Sequence, residues 1–227
     1  IHFGLAALWP LALPFAALLG AVLGVALILA LSGSRGGSVT LILAGIAISA
    51  LAGAFTSLVL NLAPNPWAAN EIVFWMMGSL ADRSWLHVAL ACPFILIGAG
   101  ILLSQGRALD ALTLGEDAAE SLGLRLSHVR LWLVLGTAAV VGAGVAVAGA
   151  VGFVGLVVPH LLRPLVAGRP SVLLIASALG GAGLVLAADV AVRVLLPTGD
   201  LKLGVLTALV GAPLFLHLIW KMRRGQI

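Results

Sequence analysis

Long stretches without a charged residue alternate with short polar segments along the whole chain. Stretches free of Asp, Glu, Lys and Arg cover residues 1–34, 36–70, 84–106, 131–162, 170–188 and 203–220. A membrane-spanning helix needs about 20 apolar residues, so every stretch is long enough for a span, and 131–162 is long enough to be divided. The pattern predicts seven helices, at 5–31, 39–62, 86–104, 129–148, 153–167, 172–193 and 203–221.

Two of these stretches contain residues that interrupt a helix. Gly-Ala-Val-Gly-Phe at 149–153 divides the longest stretch into two predicted helices, and Asn61, Pro64 and Pro66 end the second helix near residue 62. The stretches are rich in Leu, Ala and Gly and lack the apolar and polar alternation of barrel strands. We therefore expect an all-α, polytopic membrane helical bundle.

The composition excludes a soluble globular protein and a disordered chain. Hydrophobic residues make up 62% of the 227 residues, and charged residues make up 9% against about 25% in soluble domains. A mean hydropathy of +1.23 is too high for a soluble or disordered chain. Cys92 is the only cysteine, so an internal disulfide and a cysteine-rich metal site are both excluded, and we expect no metal site.

The basic residues divide unequally between the two sides of the predicted bundle. Nine fall on one side, namely Arg35, Arg107, Arg125, Arg130, Arg163, Arg169, Lys221, Arg223 and Arg224, and three on the other, namely Arg83, Arg193 and Lys202. The positive-inside rule then predicts a cytoplasmic C-terminus. The outer segment 63–85 carries Trp67, Trp75 and Trp85, which we interpret as anchors at the lipid interface. The basic residues are spread over several short loops and do not gather on one face, which argues against a nucleic-acid site.

The cytoplasmic segment 105–128 contains the clearest local signals. Two short helices are predicted, at Arg107–Leu112 and Leu114–Leu122, and Thr113 with Glu116 has the spacing of a capping box. Glu116 would also interact favourably with the positive end of the helix dipole. Gly123 is suited to the left-handed position that ends a helix.

The second of these short helices is amphipathic and acidic. Leu114, Ala118 and Leu122 share one face, whereas Asp117 and Glu120 lie on other faces. A helix that lies on anionic lipid normally carries Lys and Arg. An acidic helix on the cytoplasmic side is better explained by docking to a protein.

Six segments of the chain resemble, in the same order, the FecCD family of type II ABC importer permeases. The segments are Leu43-Ala44-Gly45-Ile46-Ala47, Trp75-Met76-Met77-Gly78, the coupling segment 114–124, the stretch 149–163, the block 187–193 and the block 204–213. The resemblance implies that residues 1–227 form a single permease domain with the type II transmembrane fold. It also implies ten spans in a full subunit, so we expect this chain to hold the fourth to the tenth.

The resemblance implies a function in import across the bacterial inner membrane. The expected substrates are iron-siderophore first, then haem, then cobalamin. Expected partners are a second permease copy, ATP-binding cassette ATPases and a periplasmic binding protein. We expect this chain to bind no cofactor, because 33–37 lacks the Lys-Ser/Thr of a P-loop; ATP and Mg²⁺ would belong to the ATPase. The chain would therefore be a transport subunit and not an enzyme.

The resemblance also implies roles for individual residues. Residues 106–124 would form the coupling helices, with Leu114, Gly115, Glu116, Asp117, Ala118, Ala119, Leu122 and Gly123 as the ATPase-coupling set. Ser38 and Val39 would narrow the cytoplasmic gate, and Arg193 would face the binding protein. Around the helix break we assign Gly152, Gly155, Pro159 and His160 to the translocation region. For His160, a hydrogen-bonded packing role is favoured over a place on the substrate or gating path.

Three questions stay open at this point. Asp189 and Arg193 are spaced for a helical salt bridge, which competes with a docking role for Arg193. Asp189 and His160 could instead form a proton relay, so an ion-coupled secondary transporter is the alternative function, although it would not need the acidic helix. Lys202 stands where the family commonly has proline, which leaves the outer turn without an expected geometry.

Overall fold

The computed structural model describes residues 12–33, 38–195 and 201–223. Within these ranges every regular element is a helix and there is no strand, which confirms the all-α prediction. The α-helices are α1 (Ala12–Ser32), α2 (Ser38–Asn61), α3 (Pro66–Met76), α4 (Trp85–Ser104), α5 (Gly106–Leu112), α6 (Glu116–Ser121), α7 (Leu126–Ala148), α8 (Val154–Leu162), α9 (Pro170–Leu195) and α10 (Leu203–Arg223), and a 3-10 helix covers Arg163–Val166.

Each of the seven predicted spans corresponds to a helix. Five helices of the described chain, α1, α2, α4, α7 and α9, are long and apolar enough to cross a membrane. The chain is therefore a multi-pass membrane protein. The other two predicted spans, α8 with its 3-10 continuation and α10, contain shorter apolar helical stretches. Residues 5–11 of the first predicted helix lie outside the described residues.

The helix predicted at 153–167 is shorter than expected and changes type. The α-helical part ends at Leu162, and the next turn is a 3-10 helix with Pro164 in its first positions. Proline has no amide hydrogen to continue the α-helical hydrogen-bond ladder. Ala167 and Gly168, with φ of 49° and 71°, then turn the chain toward α9.

Helix α3 was not predicted, because the two prolines of segment 63–85 indicated only the end of the preceding helix. The side chain of Asn65 accepts a hydrogen bond from the Ala68 amide at 2.9 Å, and Pro66 occupies the first turn. Asparagine as N-cap followed by proline is a strong helix-start signal. Trp67 and Trp85 are 82% and 87% exposed, and their role as interface anchors stays a prediction.

Neighbouring helices of the bundle pack with their backbones close together. Helix α7 packs against α1 and α4, and α9 packs against α8, α5 and α10. A Cβ built on Gly98 of α4 would lie 2.7 Å from the carbonyl oxygen of Gly136 on α7, so glycine is required there. Small residues at such contacts permit the close packing that stabilises membrane helices.

Helix α2 packs mainly against α1 and exposes most of its apolar side chains. Val39, Ile46 and Phe55 are 69%, 61% and 59% exposed. An apolar surface of this extent belongs in contact with lipid or with protein.

Candidate functional site

The candidate coupling segment, residues 105–125, connects the end of α4 to the start of α7. Helix α5 follows α4 directly, since Gln105 ends one helix and precedes the other. Helix α6 is a six-residue helix, shorter than the predicted Leu114–Leu122. Both predicted short helices therefore exist, with α5 beginning one residue earlier than expected.

The predicted capping box at Thr113 and Glu116 is wrong. The Thr113 hydroxyl donates to the carbonyl oxygen of Asp110 at 2.7 Å, within the preceding helix. The residue before α6 is instead Gly115, with φ of 103° and ψ of 158°. A residue with a Cβ is strained at this φ, so Gly115 is required by conformation.

The end of α6 has the predicted geometry. Gly123 has φ of 86°, its amide donates to Glu120 O at 2.8 Å, and the Leu124 amide donates to Ala119 O at 3.2 Å. These two bonds form the Schellman motif, which satisfies the last carbonyl groups of a helix. The left-handed role of Gly123 is confirmed.

Glu116 pairs with Arg130 of α7 instead of capping its own helix. One guanidinium nitrogen, Nη2, donates to both carboxylate oxygens, at 2.8 and 2.9 Å. The Arg130 side chain is 24% exposed and that of Glu116 is 55% exposed. The charged hydrogen bonds hold α6 against α7, so Glu116 faces its own bundle as well as solvent.

Asp110 of α5 binds the first turn of α9. Its carboxylate accepts from the Ser171 amide at 2.9 Å and from the Ser171 hydroxyl at 2.6 Å. These two hydrogen bonds, side-chain first, lower the pKa of Asp110, with a smaller contribution from the charge of Arg169, while desolvation opposes them. Asp110 was not among the predicted site residues, since only the fold brings it to α9.

The outer surface of the coupling segment is apolar with acidic neighbours. Leu114 and Leu122 are 69% and 67% exposed, and Asp117 and Glu120 are exposed as well. Ala119 is fully buried and Ala118 half-buried, so α6 contacts the bundle through its small residues. Exposed leucines beside carboxylates can form a contact with an apolar protein surface that has basic groups at its rim.

The predicted gate lies at the end of the bundle where α7 begins. Helix α2 begins at Ser38, and Val39 is 69% exposed. Residues 34–37 lie outside the described residues. A cavity of about 300 Å³ separates the end of α1, the start of α2 and the start of α7, with Ser32, Leu41 and Arg130 in its lining.

The helix break before α8 is confirmed, and it depends on more than the predicted glycines. Gly149 has φ of 75°, and Phe153, with φ of 66°, immediately precedes α8. A Cβ on Gly152 or Gly155 would meet open space, so these two glycines are not required by packing within this chain.

Pro159 and His160 lie in the second half of α8. Both residues are half-buried. The His160 side chain makes no hydrogen bond to any described residue. A translocation role for this histidine stays a prediction.

Three glycines from distant segments meet at the opposite end of the bundle from the coupling segment. A Cβ on Gly149 would collide with the carbonyl oxygen of Trp75, and one on Gly204 would collide with that of Met77. Gly78 has φ of 70° and is equally enclosed by the Ala150 carbonyl. We call Gly78, Gly149 and Gly204 the glycine junction. It joins the end of α3, the break before α8 and the start of α10.

Arg193 and Lys202 lie at this end of the bundle, and each contacts another side chain. Arg193 Nε donates to Asp189 Oδ2 at 2.8 Å, and the Arg193 side chain is 59% exposed while that of Asp189 is 18% exposed. The predicted helical salt bridge is therefore present, and the guanidinium still reaches the surface. Lys202 Nζ lies 5.2 Å from the centre of the Phe74 ring, which attaches the turn before α10 to α3.

Comparison with known proteins identifies relatives for this arrangement. The FecCD transport family matches residues 1–221. The chain is 38% identical over 211 residues to the Fe(3+) dicitrate transport system permease protein FecD of Escherichia coli (strain K12), covering 93% of the chain and 65% of that protein. It is 39% identical over 218 residues to the vitamin B12 import system permease protein BtuC of Vibrio cholerae, covering 96% of the chain and 64% of that protein.

A solved structure gives the same fold. It is a metal-chelate type ABC transporter in an inward-facing conformation, with a TM-score of 0.82, 32% sequence identity, and coverage of 93% of this chain and 72% of the other. The chain spans slightly less than two thirds of the length of the two curated relatives above. With a family match over nearly all of its residues, the chain belongs to the FecCD transport family.

Proposed function

We propose that the chain is the transmembrane permease subunit of an ATP-binding cassette importer that carries a metal chelate across the bacterial inner membrane. The observation that carries the proposal is the coupling segment: two short helices between two spans, anchored to the bundle and exposing leucines beside acids. This surface suits a cytoplasmic ATPase, which would bind and hydrolyse ATP with Mg²⁺. The permease itself would carry out no chemical reaction.

The proposed importer contains two permease copies around one pathway. The exposed apolar surface of α2 supports this arrangement, since Val39 and Ile46 need a lipid or protein neighbour. Ser38 and Val39, at the start of α2, would narrow the cytoplasmic exit where the two copies meet. ATP binding would move the coupling segments and change which side of the pathway is open.

The proposed orientation places the coupling segment and the C-terminus in the cytoplasm. The excess of basic residues on that side, which include Arg107, Arg125 and Arg169, supports this orientation. The glycine junction and Arg193 would then face the periplasm, where a substrate-binding protein docks.

The substrate class follows from the relatives and from the apolar lining of the outer groove. The relatives are named for ferric dicitrate and vitamin B12, both metal chelates. A groove of about 620 Å³ beside the glycine junction is lined by residues such as Met76, Met77, Gly152 and Val205, without a charged side chain. Such a lining does not discriminate between chelates by charge, so the binding protein would select iron-siderophore, haem or cobalamin.

An experiment on the exposed leucines separates this function from the ion-coupled alternative. Leu114→Arg/Leu122→Arg should abolish co-purification of the ATPase and chelate uptake, while the permease still inserts. Leu165→Arg is the matched control, because Leu165 is 78% exposed in the 3-10 helix, outside the coupling segment. Uptake that persists after the ATPase has been lost would favour an ion-coupled transporter.

A further inference from the structure

Helix α9 begins without a capping side chain of its own. Its first helical hydrogen bond runs from the Leu173 amide to the Arg169 carbonyl at 3.0 Å, which makes Arg169 the N-cap residue. Arginine has no acceptor atom to satisfy the amides of the first turn. The Ser171 amide, at the second helical position, is one of the donors that an N-cap side chain normally satisfies.

Asp110 supplies the missing acceptor from another helix. Its two oxygens bind the amide and the hydroxyl of Ser171, 61 residues away in the chain. The negative charge also lies at the positive end of the α9 dipole. Asp110 therefore performs, from α5, the function that an N-cap residue would perform within α9.

The helices are close together at this contact. A Cβ built on Gly106, the first residue of α5, would lie 3.2 Å from the Ser171 Cβ. Asp110 is one helical turn further along α5, so the two helices meet at two successive turns. Helix α9 then runs for 26 residues, about 39 Å at 1.5 Å per residue, toward the end that carries Arg193.

We propose that Asp110 is a positioning residue that fixes α5 to the first turn of α9, so that the two helices move as one rigid unit when the ATPase moves the coupling segment. This inference rests on the proposed importer function and adds the route by which movement enters the bundle. Helix α9 would carry that movement toward the opposite face.

The first test separates a helix cap from a connection between helices. Asp110→Ala removes both the cap and the connection. In Asp110→Ala/Arg169→Ser, the new serine can cap α9 locally while α5 stays disconnected. We expect the double variant to regain the thermal stability of the parent but to keep a loss of transport per ATP hydrolysed of at least about fivefold. Arg169→Ser alone is the control. Recovery of both properties, or no loss in Asp110→Ala, would overturn the proposal.

The second test fixes the two helices covalently in the full-length permease assembled with its ATPase. In a Cys92→Ser parent, Gly106→Cys/Ser171→Cys should form a disulfide after a small adjustment, since Cβ atoms in disulfides lie about 3.5–4.5 Å apart. The Ser171 amide still reaches Asp110 in this variant. We expect the disulfide to form at the same rate with and without ATP and the oxidised protein to keep its uptake.

The outcomes distinguish this inference from the function on which it rests. Loss of uptake on oxidation with recovery on reduction, a disulfide that does not form, or a rate that changes with ATP would overturn the rigid unit alone. Absence of ATP-dependent uptake in the Cys92→Ser parent would overturn the importer function and the inference with it.

Discussion

Glu116 and Arg130 form an ion pair in which Arg130 Nη2 donates to both carboxylate oxygens, and the pair connects α6 to the first turns of α7. The pair replaces the predicted capping interaction of Glu116, while the exposed part of its carboxylate leaves the predicted role in ATPase coupling untested. Because the Glu116 side chain is half exposed, water weakens the attraction, and the pair contributes about 0.2–1 kcal/mol to stability.

Removal of this ion pair should therefore destabilise the folded permease only slightly. Glu116→Gln and Arg130→Gln should each change the free energy of unfolding by about 1 kcal/mol or less, and the double variant should be no less stable than the worse single variant. A double-mutant cycle on the purified permease measures this. Losses that simply add would show that the two side chains act independently.

The glycine junction should tolerate no added methyl group. Gly204→Ala should destabilise the permease by about 1–3 kcal/mol or more, because the new Cβ meets the backbone carbonyl groups of Met77 and Ala150. Gly144→Ala in α7 is the matched control, since a Cβ there meets open space and alanine favours a helix. Thermal unfolding of both variants in detergent checks the prediction, and equal stability would contradict it.

The contact between Asp110 and Ser171 should give stability a specific pH dependence. The pKa of Asp110 is lowered by folding, so the contact stabilises the protein above the unfolded pKa of about 3.9. That contribution is lost as the pH falls through the folded value. The difference in melting temperature between the parent and Asp110→Asn should thus be largest above about pH 5 and shrink at lower pH.

Ser171→Ala provides the control for this titration. It removes the hydroxyl donor and leaves the amide donor, so its pH-dependent loss of stability should be smaller than that of Asp110→Asn. A difference between the parent and Asp110→Asn that is independent of pH would contradict the assignment.

Arg193 should act in docking as well as in its salt bridge. Arg193→Glu should weaken association with the binding protein, most clearly at low salt, because salt screens exposed charges. Folded yield should be unchanged, since the side chain is 59% exposed. Arg83→Glu, at the same predicted face, is the comparison for a general effect of charge. Lost yield with normal docking in the surviving protein would assign Arg193 to folding alone.

The sequence was sufficient to predict the long helices but not how the short ones are fixed. Charge-free stretches predicted the membrane-spanning helices because the interior of the bilayer requires an apolar surface on every helix that crosses it. Helix α3 is absent from the prediction because a proline can end one helix or begin the next, and Pro64 and Pro66 indicated only the end of α2. The Asn65-Pro66 pair, an N-cap residue followed by proline, is the feature of the sequence that predicts the start of α3.

Contacts between distant residues explain the remaining differences. Glu116 satisfied a local capping pattern, but Arg130, 14 residues away, binds it in the fold. Asp110 and Ser171 are separated by 61 residues, and no local pattern connects them. The glycines of the junction lie in three separate segments that resemble the family, 75–78, 149–163 and 204–213. No pattern within any one segment indicates that the three backbones meet.

ATP-driven uptake of a chelate by the reconstituted transporter is the decisive measurement for the proposed importer function. The full-length permease, its ATPase and its binding protein would be reconstituted in proteoliposomes, and radiolabelled ferric siderophore, haem and cobalamin would be offered in turn. We expect one of these chelates to accumulate only when ATP is present on the coupling-segment side, and to accumulate equally well when ion gradients are collapsed. Uptake that proceeds without the ATPase and stops when the ion gradients are collapsed would contradict it.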